Sequence, residues 1–150
     1  MNRRTLGRLA GVAVLAVGLS GCAGMGSMGS AASLYQQIGG TDAVSKLAGN
    51  MLTSSMKDPR LAGLLGKVNP TAATPKVADQ MCAALGGGCK APFTDQQVAA
   101  AADRLTPEQK TAVSENFGSS LNSVTSNPAL RDAVTKSLGS KMGGVLGALM

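Results

Sequence analysis

The chain has 150 residues, 14 Lys or Arg against 8 Asp or Glu for a formal net charge of +6, and neither histidine nor tryptophan. The missing histidine excludes Ser-His-Asp and Cys-His catalysis, His-ligated zinc and the usual haem ligand. The acidic residues stand singly, with no pair placed for acid/base work, so nothing argues for an enzyme. Three of the basic residues, Arg3, Arg4 and Arg8, belong to an N-terminal leader. The other eleven face eight acids, a net of +3, and alternate with them in sign (Lys57-Asp58, Asp103-Arg104, Arg131-Asp132). No basic run marks a nucleic-acid surface, and Tyr35, Phe93 and Phe117 are too few for base stacking. Nucleic acid is not an expected partner.

After the basic leader, Gly11 to Leu19 runs without a charge, and Leu19-Ser20-Gly21-Cys22 closes the segment with small residues. This is the order of a secretory signal: cationic start, short apolar middle, small-residue cleavage site. The apolar run is too short for a bilayer core of about 30 Å, which needs roughly 20 apolar residues. The segment resembles a bacterial lipoprotein signal, in which the cysteine is lipidated and becomes the new first residue. That resemblance implies removal of residues 1–21, lipid attachment at Cys22 and a membrane as partner. Ala23, rather than aspartate, follows the cysteine, which by the lipoprotein sorting pattern implies the outer membrane facing the periplasm. Residues 22–33 are small, uncharged and glycine-rich, a flexible tether. Its Met25 and Met28, without Cys or His nearby, make poor soft-metal ligands.

The domain proper is expected over residues 34–138. Thr41 and Asp42 are placed to open a helix by capping and favourable charge. Val44, Leu47, Ala48, Met51, Leu52 and Ser55 then follow at helical spacing, to an end near Asp58-Pro59. Leu61, Leu64 and Leu65 continue an apolar face until Asn69-Pro70. Thr74-Pro75 reads as an N-cap with proline in the first turn, and Val77, Met81 and Leu85 as the next buried stripe, stopped by Gly86-Gly87-Gly88. Thr94-Asp95-Gln96-Gln97 and Thr106-Pro107-Glu108-Gln109 are capping boxes. Between them lies a short helix made mostly of alanine, Ala99 to Ala102. Ala112, Val113, Phe117, Leu121 and Val124 point one face of the following helix inward. Asn127-Pro128 caps a last helix carrying Leu130, Val134 and Leu138, which Gly139 ends or bends. Residues 139–150 form a glycine-rich amphipathic tail, read either as a membrane-touching or dimerising segment or as a loosely packed helix end. No stretch alternates with period two, so the domain is all-α.

Leu34-Tyr35-Gln36-Gln37-Ile38-Gly39-Gly40, Asp58-Pro59-Arg60-Leu61 and Met81-Cys82-Ala83-Ala84-Leu85-Gly86-Gly87-Gly88-Cys89-Lys90, in that order and at these separations, resemble the group I truncated haemoglobins. The likeness covers Leu34 to Lys90 and weakens towards Leu138. It implies a two-over-two helical globin fold. It also implies a loss, because the family's iron-holding histidine falls on Ala100, within Ala99 to Ala102. The family's pocket aromatics fall on Met51 and Leu52 and on Leu64 and Leu65. The resemblance therefore implies a domain without haem, its former pocket refilled by Leu and Met, since an empty cavity costs about 24 cal/mol per Å³. The alternative is haem held by another ligand, with Met51 or Met81 as the soft donor.

Cys82 and Cys89 flank the triple glycine in a chain expected to be exported, where disulfides persist. A loop of this size gives roughly 2.5 kcal/mol in the chain-entropy model. A buried thiol pair and a redox site are the alternatives, although the spacing is not Cys-x-x-Cys and no histidine is present to activate it. The expected function is that of a lipid-anchored envelope protein whose helical domain binds an unknown envelope protein or packs structurally.

Overall fold

The computed structural model describes residues 34–150 and, among them, seven helices and no strand. They are α1 (residues 34–38), α2 (Gly40–Lys57), α3 (Pro59–Leu65), α4 (Pro70–Ala84), α5 (Asp95–Asp103), α6 (Pro107–Val124) and α7 (Pro128–Gly147). The leader, Cys22 and the tether lie outside the described residues.

Three helices start at the side-chain caps that the sequence announces. Thr94 accepts from the Gln97 N–H at 3.2 Å while the Gln97 side chain accepts from the Thr94 N–H at 2.9 Å. Thr106 and Gln109 repeat the exchange at the head of α6. Asn127 accepts from Ala129 and Leu130, with Pro128 in the first turn of α7. Each exchange satisfies backbone donors that a helix start leaves without a partner.

Two expected caps fall elsewhere. Thr41 does not open α2; the helix begins one residue earlier behind Gly39, whose φ of +113° makes the turn without a side-chain cap. The Thr41 hydroxyl is instead 2.7 Å from the Tyr35 hydroxyl. Thr74 does not open α4 either. Asn69 caps it five residues sooner, accepting from Thr71 and Ala72, and Pro70 takes the first position. Thr74 then donates to the Pro70 carbonyl at 2.8 Å, and Pro75 sits inside the helix at the cost of one i→i−4 bond. Asn is the stronger cap and it comes first, so it wins.

The tail is the largest difference. α7 runs through Gly139 without a break to Gly147, and Met142, Val145 and Leu146 are fully buried. A membrane-touching or dimerising tail needs those side chains outside, and a loosely packed end would leave them half exposed; they are core instead.

The packing is built on two helices. α2 lies against α4 and α6, and α7 lies against α5, α6 and α4, with α3 closing a corner on α2 and α6. Phe117 and Leu121 on α6 are buried in the same hydrophobic cluster as Leu52 on α2, Met81 on α4 and Leu138 and Met142 on α7. The polar Ser55 is the exception on the inner face of α2, fully buried with its hydroxyl making no hydrogen bond.

Candidate functional site

The residues expected to have lined a cofactor pocket separate into two groups. Met51 and Leu52 on α2 and Leu65 on α3 are buried to 1% exposure or less, in one cluster with Met81 and Leu85 on and after α4. Leu64 is half-buried and packs on the edge of that cluster. Ala100 is not with them. It is exposed on the outer side of α5 and lines an open surface cleft with Phe93, Gln97, Ala101, Arg104, Gly147 and Ala148.

Ala100 faces outward because of how α5 sits on α7. Val98 and Ala101 form the inner face of this short helix, and one residue of helix rotates a side chain by about 100°. The inner face rests on a notch of glycines. A Cβ on Gly144 would overlap the Val98 carbonyl oxygen, one on Gly147 would lie 3.1 Å from Ala101, and one on Gly143 would lie 3.0 Å from Leu105 Cδ1. Backbone meets backbone here, and nothing flat fits between the two helices along this contact. Neither a membrane-touching or dimerising tail nor a loosely packed end describes these glycines; the i, i+4 spacing of Gly143 and Gly147 is the sequence signal for close helix approach.

Cys82 and Cys89 form a disulfide with their Cα atoms 5.6 Å apart. Gly86 and Gly88, at φ +80° and +78°, turn the loop between them. Gly87 lies so close to its neighbours that a Cβ would stand 2.6 Å from Cys82 Sγ and 2.7 Å from the Tyr35 ring. Tyr35 thus belongs to this loop, a partnership that sequence reasoning missed.

A polar clasp ties the α2–α3 corner to α6. Asp58 caps α3 by accepting from the Arg60 N–H, and its carboxylate takes two further bonds from the Arg60 guanidinium at 3.0 and 2.9 Å. Arg60 also reaches Glu115 at 2.7 Å, and Asn116 Nδ2 donates to Asp58 at 3.1 Å. The Arg60 side-chain bond, helped by its backbone N–H and by Asn116, outweighs partial burial and holds the Asp58 carboxyl at about 2. The same pairing pushes Arg60 upward.

A second surface groove between α2 and α6 is lined by Asn50, Thr53, Ser54, Ser119, Ser120 and Ser123, with Asn50 Nδ2 donating to Ser123 Oγ across it at 2.9 Å. Among the described residues no three His, Cys, Asp or Glu side chains converge on a point where a metal would sit. No described helix is long and apolar enough to cross a membrane. Comparison of the chain with protein-family models, with curated proteins and with solved structures finds no match.

Proposed function

We propose that the chain is a lipid-anchored protein of the bacterial envelope, held through Cys22. Its helical domain is a truncated-globin-like shell without haem, and it works through its surface, binding an envelope protein or bracing a structure. The leader and the Leu19-Ser20-Gly21-Cys22 box support the anchor. The observation that carries the haem-free reading is the seat of α5. The helix that would present an iron ligand lies backbone-to-backbone on Gly144 and Gly147, and Ala100 faces solvent. Met51 and Met81, the candidate soft donors, are fully buried among aliphatic side chains, so an iron bound to either has to displace core packing that interiors hold at crystal-like density.

The test is an absorbance titration with haemin of the protein extracted from envelope membranes. The expected result is no saturable Soret shift, together with loss of the chain from the membrane fraction on Cys22→Ser. A one-to-one shift abolished by Met51→Leu or Met81→Leu overturns the haem-free reading. Unchanged membrane retention of the Cys22→Ser chain overturns the anchor.

A further inference from the structure

We propose that Tyr35 and the Cys82–Cys89 disulfide form a redox-coupled clasp: the closed loop holds α1 on the domain, and Tyr35 in turn shields the disulfide from reductants. This reading does not depend on the function proposed above.

The loop leaves α4 in a tight turn, with the Gly86 N–H bonded to the Ala83 carbonyl at 3.3 Å and the Gly87 N–H to the Cys82 carbonyl at 2.8 Å. Cys82 Sγ and the Tyr35 ring thereby converge on the face of Gly87 where a side chain would stand, 2.6 and 2.7 Å from that point. The ring is fixed from its far end by the hydroxyl contact to Thr41 on α2. Leu34 and Tyr35 pack on the core as partly buried side chains, and α1 itself is one short turn that ends at the Gly39 N–H to Gln36 carbonyl bond of 3.1 Å. A turn this short has little stability of its own, because helix nucleation is unfavourable. It stays ordered through Ile38, buried in the core at 5% exposure, and through Leu34 and Tyr35, the Tyr35 ring resting against the loop at Gly87.

The shielding runs the other way. Cys82 is 3% exposed, whereas Cys89 is half-buried. A dithiol reductant attacks as a thiolate along the S–S axis. Attack at Cys82 is blocked by burial. Attack at Cys89 forms a bond from the reductant's sulfur to Cys89 Sγ and expels Cys82 with the electron pair, into surroundings that disfavour a thiolate until it takes up a proton. The reductant's second thiol then displaces Cys89, leaving two protein thiols and the reductant as its own disulfide. Lifting Tyr35 opens the buried side to water and so favours reduction. Reduction in turn removes the covalent closure between Cys82 and Cys89, and with it the constraint that keeps Gly87 against the Tyr35 ring.

The experiment uses the full chain carrying Cys22→Ser, with dithiothreitol as the reductant and trapping of freed thiols as the readout. Tyr35→Ala is expected to speed reduction by about tenfold or more, because water then reaches the Cys82 sulfur as it leaves. Tyr35→Phe, which keeps the ring, stays within about twofold of the parent on the same argument. Amide exchange in residues 34–41 rises in the reduced chain while α6 and α7 keep their protection. Equal reduction rates for Tyr35→Ala and parent overturn the shield. Unchanged exchange in 34–41, or a rise spread evenly over α6 and α7, overturns the clasp. Should Tyr35→Ala fail to fold, the exchange of the reduced parent chain decides alone.

Discussion

Asp58 shows how much one side chain does when its partners come from two places. It caps α3 through the Arg60 N–H, holds the Arg60 guanidinium and receives Asn116 from α6. Its carboxyl is held at about 2 against an ordinary 3.8. A carboxyl lowered by folding contributes stability that is present above the unfolded value and lost as pH falls towards the folded one. The clasp's contribution is therefore intact above about pH 4 and fades between there and about pH 2. Asp58→Asn keeps a good N-cap and removes the charge. The variant is expected to be less stable than the parent at pH 6 and indistinguishable from it near pH 2, by urea unfolding across that range. A gap of the same size at both ends refutes the assignment. The sequence shows Asp58-Pro59 as a helix boundary but not the bonds to α6, because Glu115 and Asn116 lie more than fifty residues away along the chain. Tyr35 was hidden for the same reason, with its loop partners about fifty residues downstream.

At the scale of the helices, what the sequence showed best was what a few adjacent residues decide. Both Thr…Gln capping boxes and the Asn127 cap form as expected, since donor and acceptor lie two or three residues apart. Thr41 and Thr74 were misread because a neighbouring residue, Gly39 or Asn69, made the better start. The glycines of α7 were misread for a different reason: glycine in a helix interior costs about 1 kcal/mol against alanine, which makes it look like a weak point. In the fold they admit α5. Gly144→Ala therefore reverses the usual gain and is expected to destabilise the protein by about 3 kcal/mol, because the new methyl overlaps the Val98 carbonyl and the helices must part. Gly143→Ala is expected to cost much less, since its neighbour is the far end of the Leu105 side chain, which can turn away. Thermal unfolding of both variants checks the order. A Gly144→Ala protein as stable as the parent shows that the two helices do not touch there.

For the molecule as a whole, the end of the chain is part of the core. Met142, Val145 and Leu146 are each fully buried, and burying a side chain of this size contributes about 1.5–3 kcal/mol. Together they stand for roughly 6 kcal/mol, comparable to the whole stability of a small domain at about 5–15 kcal/mol. A chain stopped after Leu138 is expected to lose its cooperative urea transition, and one that keeps the parent's midpoint contradicts the packing described.

By itself the sequence determined that the domain is helical, where three of its helices begin, which stripes face inward and that Cys82 and Cys89 are close enough to pair. Each of those follows from spacing, capping or a short loop, and so from residues near one another in the chain. Only the tertiary structure decided that Ala100 faces outward, that the tail glycines form a seat for α5, that Tyr35 closes over the cysteine loop and that Arg60 spans two helices. These rest on close approach between surfaces far apart in sequence. Local periodicity says which face of a helix is apolar, but not which partner will cover it or how near the backbones will come.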